Sequence, residues 1–282
     1  MTTLRMIARS IVHYRRMHLG LVCGAALACA ILAGALVVGD SVDQTLRNIA
    51  LARLGRVEHA MEWRNRYFAQ TLADRLQREE PRIAASAVLA LRGVAALPPE
   101  AGVARRQRNR AQILGVDAGF WRFAPDAPPQ APGIQEAVVN QATAEALGIA
   151  PGDDLILRLE KYHWMPLDAP MSQRSDEYTV VLRVTVVMVL SDAQLGRFSL
   201  AANQAPPCNV FVDRTWLQEA MELEALANLL IAGSVHRDAS AADNNSHLFS
   251  QALDRVWNFE DIGIHFETHD SGLVQIVVAH LP

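Results

Sequence analysis

Cysteine is scarce in this 282-residue chain, and its placement excludes two whole classes of stabilisation. Two of the three cysteines, Cys23 and Cys29, fall in an apolar run, where they act as small apolar residues. Cys208 is the only thiol after residue 39, so that part has no intrachain disulfide and no cysteine-built metal framework. Acidic residues are missing from the first 39 positions, and Asp40 is the first of them. Charge of either sign is missing from residues 19–39, a run of 21 positions. Also missing are an internal repeat, a low-complexity tract and a Gly-x-x-x-x-Gly-Lys-Ser/Thr phosphate loop, so ATP binding by that loop is excluded.

What is present begins with that run, LGLVCGAALACAILAGALVVG. At about 1.5 Å per residue it spans the ~30 Å hydrocarbon core of a bilayer. Inside a bilayer the backbone has no water to bond with, so the segment is expected to be a helix. Arg5, Arg9, Arg15 and Arg16 precede it, with His13 and His18. Positive residues stay on the cytoplasmic side, which places the N-terminus inside and residues 40–282 outside, even though Arg47, Arg53 and Arg56 follow closely. The expected location is a membrane, crossed once. Without the four N-terminal arginines, 22 basic residues face 30 acidic ones, so the outer part carries about −8 and does not seek nucleic acid. A cleaved signal peptide is the competing reading, with Ala33-Gly34-Ala35 as a small-x-small site, in a run longer than such peptides use. Arg15-Arg16 also admits a twin-arginine export reading, although paired arginines beside a span are ordinary topology chemistry.

Periodicity divides the chain into residues 1–18, 19–39 and 40–282. In the first segment Leu4, Ile7, Ala8 and Ile11 share one helical face and Arg5, Arg9 and Arg16 another. That pattern fits a cytoplasmic amphipathic helix lying on lipid, or equally a helical extension of the span. After the span, Ser41-Val42-Asp43-Gln44 has capping-box spacing, so a new short helix is expected there, closed by Gly55. A second helix is expected around residues 67–79, with Phe68, Leu72 and Leu76 buried and Pro81 as its stop. Strands are expected at 111–116, 138–139, 155–160, 178–190, 209–212 and 263–268. Leu155, Leu157 and Leu159 should face a core while Arg158 and Glu160 face water. Residues 141–147 should form a short helix capped by Gly148, followed by a Pro151-Gly152-Asp153 turn. Further helices are expected from Asp213 and across 242–256, the latter burying Leu248, Leu253 and Val256, while 227–232 fits strand or helix. The fold class is therefore α+β: one transmembrane helix, then a mixed α/β extracytoplasmic domain of one or two lobes.

No side-chain set assembles a catalytic, cofactor or metal site. His265 and His269, with Asp270, sit on a strand-like stretch that holds the two rings about 13 Å apart, too far to share a metal. Ser234 in Ala-Gly-Ser-Val-His lacks the second glycine of a nucleophile elbow. Asp153-Asp154 follows Pro-Gly, where turn geometry favours aspartate. Arg105, Arg106, Arg108 and Arg110 form a basic cluster, a solvated strand edge or a contact for lipid headgroups or a partner. Trp63, Trp121, Trp164, Trp216 and Trp257 are scattered and read as core or rim residues. Gly24, Ala28 and Gly34 would allow close helix contact within the membrane.

These segments, in this order, resemble the N-terminal part of FtsX-like ABC transporter permeases of the MacB type. The carrying features are the basic N-terminal helix, the span, and the junction Gly39-Asp40-Ser41-Val42 leading to Leu54-Gly55-Arg56. The unit Val138-Val139-Asn140, Ala146-Leu147-Gly148, Pro151-Gly152-Asp153 and Leu155 follows, then Asn209-Val210-Phe211-Val212 with Trp216-Leu217-Gln218. The resemblance implies a bacterial inner-membrane location and a MacB-like periplasmic core domain inserted after the first span, driven by a separate cytoplasmic ABC ATPase subunit. It also implies membrane lipid as surroundings, a homodimer or further permease segments as partners, no cofactor of its own and no enzymatic activity. Members of the family carry further spans and this sequence shows none, so it is expected to be an N-terminal portion, a split or truncated product, or a single-span relative. A single-span scaffold protein is the alternative function, and an anchored hydrolase the weakest, for want of a nucleophile and base.

Overall fold

The computed structural model describes residues 3–63, 66–99, 106–126, 128, 130–161, 179–201, 205–235, 242–268 and 274–278. It comprises two compact units, Met1–Leu51 and Ala52–Pro282. The first holds α1 (Thr3–His13) and most of α2 (Arg15–Leu54). At 40 residues α2 is about 60 Å long. The new helix expected at Ser41 does not start there, because α2 continues through it unbroken. No proline or steric conflict interrupts the stretch, and its polar side chains bond along the helix. Gln44 Nε2 donates to Asn48 Oδ1 at 3.2 Å, and Thr45 Oγ1 donates to Ser41 O at 2.7 Å. Gly55 ends α2 as expected, with φ +58°. A Cβ at Gly55 would stand 2.5 Å from Phe123 O, so both the backbone angle and the space require glycine.

The second unit is mixed α/β. Its elements are β1 (His59–Glu62), β2 (Phe68–Ala69), α3 (Thr71–Glu79), β3 (Ile83–Ala96), β4 (Gln107–Val116), β5 (Glu136–Asn140), α4 (Gln141–Leu147), β6 (Asp154–Glu160) and β7 (Thr179–Leu190). There follow β8 (Asn209–Asp213), α5 (Arg214–Met221), β9 (Leu226–Ala227), β10 (Leu229–Ser234), α6 (Ala242–Val256), β11 (Ile264–Thr268) and β12 (Val274–Val278). Residues 227–232 thus resolve as strand, interrupted at Asn228 between β9 and β10. Leu72 and Leu76 are fully buried on α3, as the helical spacing required, but the helix starts at Thr71 rather than near residue 67, and Phe68, also buried, belongs to strand β2. On α6, Leu248, Leu253 and Val256 are half-buried rather than buried, and Ala252, on the same face as Leu248 and Val256, is the fully covered residue.

Eight strands join in the order β1-β10-β3-β4-β8-β5-β7-β6, and β6 also pairs with β3, closing six of them into a ring. The closure depends on β3, which pairs with β10 over its first half and with β6 over 93–96. Gly93 makes that approach possible, since a Cβ there would lie 2.4 Å from Arg158 O. Most pairings are antiparallel, but β4–β8 and β5–β7 run parallel. Every ring strand sends side chains to one core cluster, among them Leu89, Ile113, Val139, Leu155, Leu157, Leu159, Val184 and Val210, joined by Leu147 of α4 and Leu217 of α5. A second layer lies on the other face, where Phe120, Trp121, Phe123 and Phe198 pack on Leu114, Val138 and Phe211. The third cluster lies under α3 and α6.

Candidate functional site

In the first unit, the chemistry is that of a bare apolar surface. Every residue of 19–39 is exposed. The large side chains include Leu19 at 69%, Leu27 at 64% and Leu36 at 75% exposure, each far from the burial such residues take in water. The helix satisfies its own backbone, is apolar on all sides and is covered by no protein. It is long and apolar enough to cross a membrane, and it is the one such helix among the described residues. His13 closes α1, and the chain turns at Tyr14 before α2 begins at Arg15.

In the second unit, the end of α2 is built into the fold. Arg53 is buried, and Leu54 packs against the layer that holds Phe120 and Phe123. Past Gly55, Arg56 N–H donates to Phe123 O at 2.8 Å and Glu58 N–H to Ala232 O at 2.9 Å. The junction residues 53–58 are therefore fixed by both packing and backbone bonds. Sequence spacing gave Gly55 its role but held no sign that Arg53 would be covered.

The unit that carried the resemblance forms as read. Asn140 caps α4, accepting from Thr143 N–H at 3.1 Å and from Thr143 Oγ1 at 2.6 Å. The same Asn140 Oδ1 accepts from Asn209 N–H at 3.1 Å, and Asn140 Nδ2 donates to Pro207 O at 2.8 Å. Asn209 Nδ2 donates to Gly196 O and Phe198 O at 3.0 and 2.8 Å. Asn140, Thr143 and Asn209 are all essentially inaccessible, so β5, α4 and β8 are joined by a dry polar knot. Gly148 closes α4 in the left-handed region, and Leu155, Leu157 and Leu159 are fully covered.

The remaining candidates are dispersed. Asp153 accepts from Ala150 N–H at 2.8 Å, a turn bond, while Asp154 starts β6 and accepts from Arg183 at 2.5 Å and Thr185 at 3.1 Å. Those donors, Arg183 first, hold the Asp154 carboxyl below its ordinary range. Ser234 ends β10, opposite Ile83. His265 lies in β11 opposite Val277, and His269 and Asp270 fall outside the described residues. Among the described residues no three His, Cys, Asp or Glu side chains converge as a metal site. Arg108 and Arg110 are exposed on β4, Arg106 donates to Leu147 O at 3.4 Å, and Arg105 lies outside the described residues. Cys208 is half-buried. Trp121 is buried, Trp63, Trp216 and Trp257 are half-buried, and Trp164 lies outside the described residues.

Two ionic contacts were not legible in the sequence. Arg214 bonds Asp117 at 2.8 Å and Ala87 O at 2.6 Å, and Ser86 donates to the same carboxylate at 3.0 Å. Arg82 bonds both oxygens of Glu80, at 2.7 and 2.8 Å, and holds its carboxyl down to about 2. The first brings together positions nearly a hundred apart along the chain, which no local pattern signals.

No protein-family model matches the chain, and no curated protein matches it in sequence. Among solved structures, it is similar to the extracellular domain of the noncanonic ABC-type transporter YknZ from Gram-positive bacteria. That likeness has 10% identity and a TM-score of 0.42, and covers 70% of this chain and 94% of that one. It is also similar to the periplasmic region of MacB from Actinobacillus actinomycetemcomitans, with 10% identity and a TM-score of 0.40, covering 68% of this chain and 82% of that one.

Proposed function

We propose that this chain is a membrane permease component of an ABC-type export or mechanotransmission system, coupling a separate cytoplasmic ATPase to an extracytoplasmic domain. The observation that carries the reading is the uncovered apolar helix α2, whose far end is fixed by Arg53, Leu54 and Gly55 into the α/β unit. Such a helix is at rest only in an apolar solvent. Basic residues on one side of it and Asp40 on the other favour a cytoplasmic N-terminus. The strand, short helix, turn and strand of residues 136–160 form as the permease resemblance required, which supports the same assignment. A separate ATPase subunit for the work of ATP hydrolysis is what the permease resemblance implies, and the 282 residues contain no phosphate loop of their own. Isolation of the tagged chain from native membranes in mild detergent tests the partnership. An ABC ATPase that co-elutes in stoichiometric amount is the expected result. Its absence overturns the permease reading and leaves the single-span scaffold, which the one apolar helix among the described residues would serve.

A further inference from the structure

The ring of six strands has a notch in its wall. Strand β5 pairs with β7 only from Glu136 opposite Thr185 to Asn140 opposite Leu190. On its other side β7 pairs with β6 from Thr185 back to Thr179. Residues 179–184 therefore have one bonded edge and, among the described residues, no strand on the other.

Backbone alternation identifies the groups that face this gap. Thr185 N–H donates to Gln135 O at 2.9 Å, toward β5, and Val186 N–H donates to Asp153 O at 2.8 Å, toward β6. Amides two residues apart point the same way along a strand, so those of Val181 and Arg183 face the gap and those of Leu182 and Val184 face β6.

Burial agrees with this placement. Val184 and Val186 are fully covered, while Val180 and Leu182, on the same inward face, are only half-buried, as is Trp216 of α5. On the outward face Val181 is 58% exposed. An open groove lined by Gln135, Val181, Leu182, Arg183, Thr185 and Trp216 follows the edge.

We propose that this edge is a docking site for an extended peptide segment of a partner protein, which adds to β7 as a strand ahead of β5 and completes the wall. The occupant's chemistry follows from what the gap offers. A row of backbone donors and acceptors repeating along a strand is matched by another extended backbone, and neither an acyl chain nor a small anion supplies that repeat. Alternate side chains of the segment would be apolar, covering Leu182 and Trp216. The outward ones need no particular charge, because Arg183 is already met by Asp154 at 2.5 Å. About six residues fill the edge at 3.3 Å each. This inference stands on the register of β7 and is independent of the permease reading.

The test uses the full chain in mild detergent and the hexapeptide acetyl-Thr-Val-Thr-Val-Thr-Val-amide. Amide hydrogen exchange on the free protein should be at least about tenfold faster at Val181 and Arg183 than at Leu182 and Val184, and saturating peptide should remove that difference. Val181→Pro deletes an N–H from the open edge alone and leaves the β6 pairing whole, so it should weaken the peptide at least about tenfold in a folded protein. Methylating alternate amide nitrogens of the peptide should weaken it equally, with no change to the protein. Failure of the hexapeptide to bind, or binding indifferent to both changes, overturns the proposal. So does slow exchange of Val181 and Arg183 in the free protein, because the edge is then already filled by this chain or a second copy.

Discussion

Asn140 ties β5, α4 and β8 together through one buried side chain. Its side chain accepts from Thr143 and Asn209 and donates to Pro207 O, all without access to water. Replacing it by alanine strips the cap from α4 and orphans buried donors, each worth about 1 kcal/mol or more. Asn140→Ala should therefore lower unfolding stability by about 2–3 kcal/mol, read as a fall in the urea midpoint with unchanged slope. The sequence displayed Asn140 at a strand-to-helix boundary, so the cap was readable. The bonds to Pro207 and Asn209 were not, because they cross nearly seventy residues. Glu80 gives a pH prediction. Arg82 lowers its carboxyl from 4.5 to about 2, so its stabilisation is present above about pH 4.5 and is lost as the pH falls toward 2. Glu80→Gln should flatten that part of the acid limb of an unfolding curve and leave the region above pH 5 unchanged in shape.

At the scale of elements, periodicity was a reliable guide wherever one face met the core. Residues 154–160 alternate as written, and α3 buries the stripe its spacing marks out. It failed where a strand is covered on both faces. The long strand β3 went unread because its alanines, Ala84, Ala85, Ala87, Ala90, Ala95 and Ala96, carry little strand signal and show no alternation. Small residues suit that place, where β10, β4 and β6 all come close. The helix start read at Ser41 failed for the converse reason: a capping pattern is local, and nothing in residues 39–54 obliges α2 to stop. The span itself can be tested as an element. Ala28→Arg places a charge at its centre and should cost roughly 2.5–3.5 kcal/mol of insertion free energy, shifting a visible fraction of the chain out of the membrane pellet. The same change at Gln44, beyond the apolar run, should leave the partition unaltered.

For the molecule as a whole, two surfaces of opposite character have to be reconciled. Residues 19–39 are apolar and uncovered, and residues 52–282 form a folded unit with three core clusters of its own. A membrane on the first and water on the second satisfies both, and the proposed direction rests on the charge asymmetry around the span. The most direct measurement is protease protection of the full chain in its native membrane, read in spheroplasts and in inverted vesicles after an alkaline wash. The account predicts that the washed membranes retain the chain, that protease outside spheroplasts digests the α/β unit, and that inverted vesicles shield it while losing the N-terminal arginines. Release of the chain by the wash, or shielding of the α/β unit in spheroplasts, would contradict it.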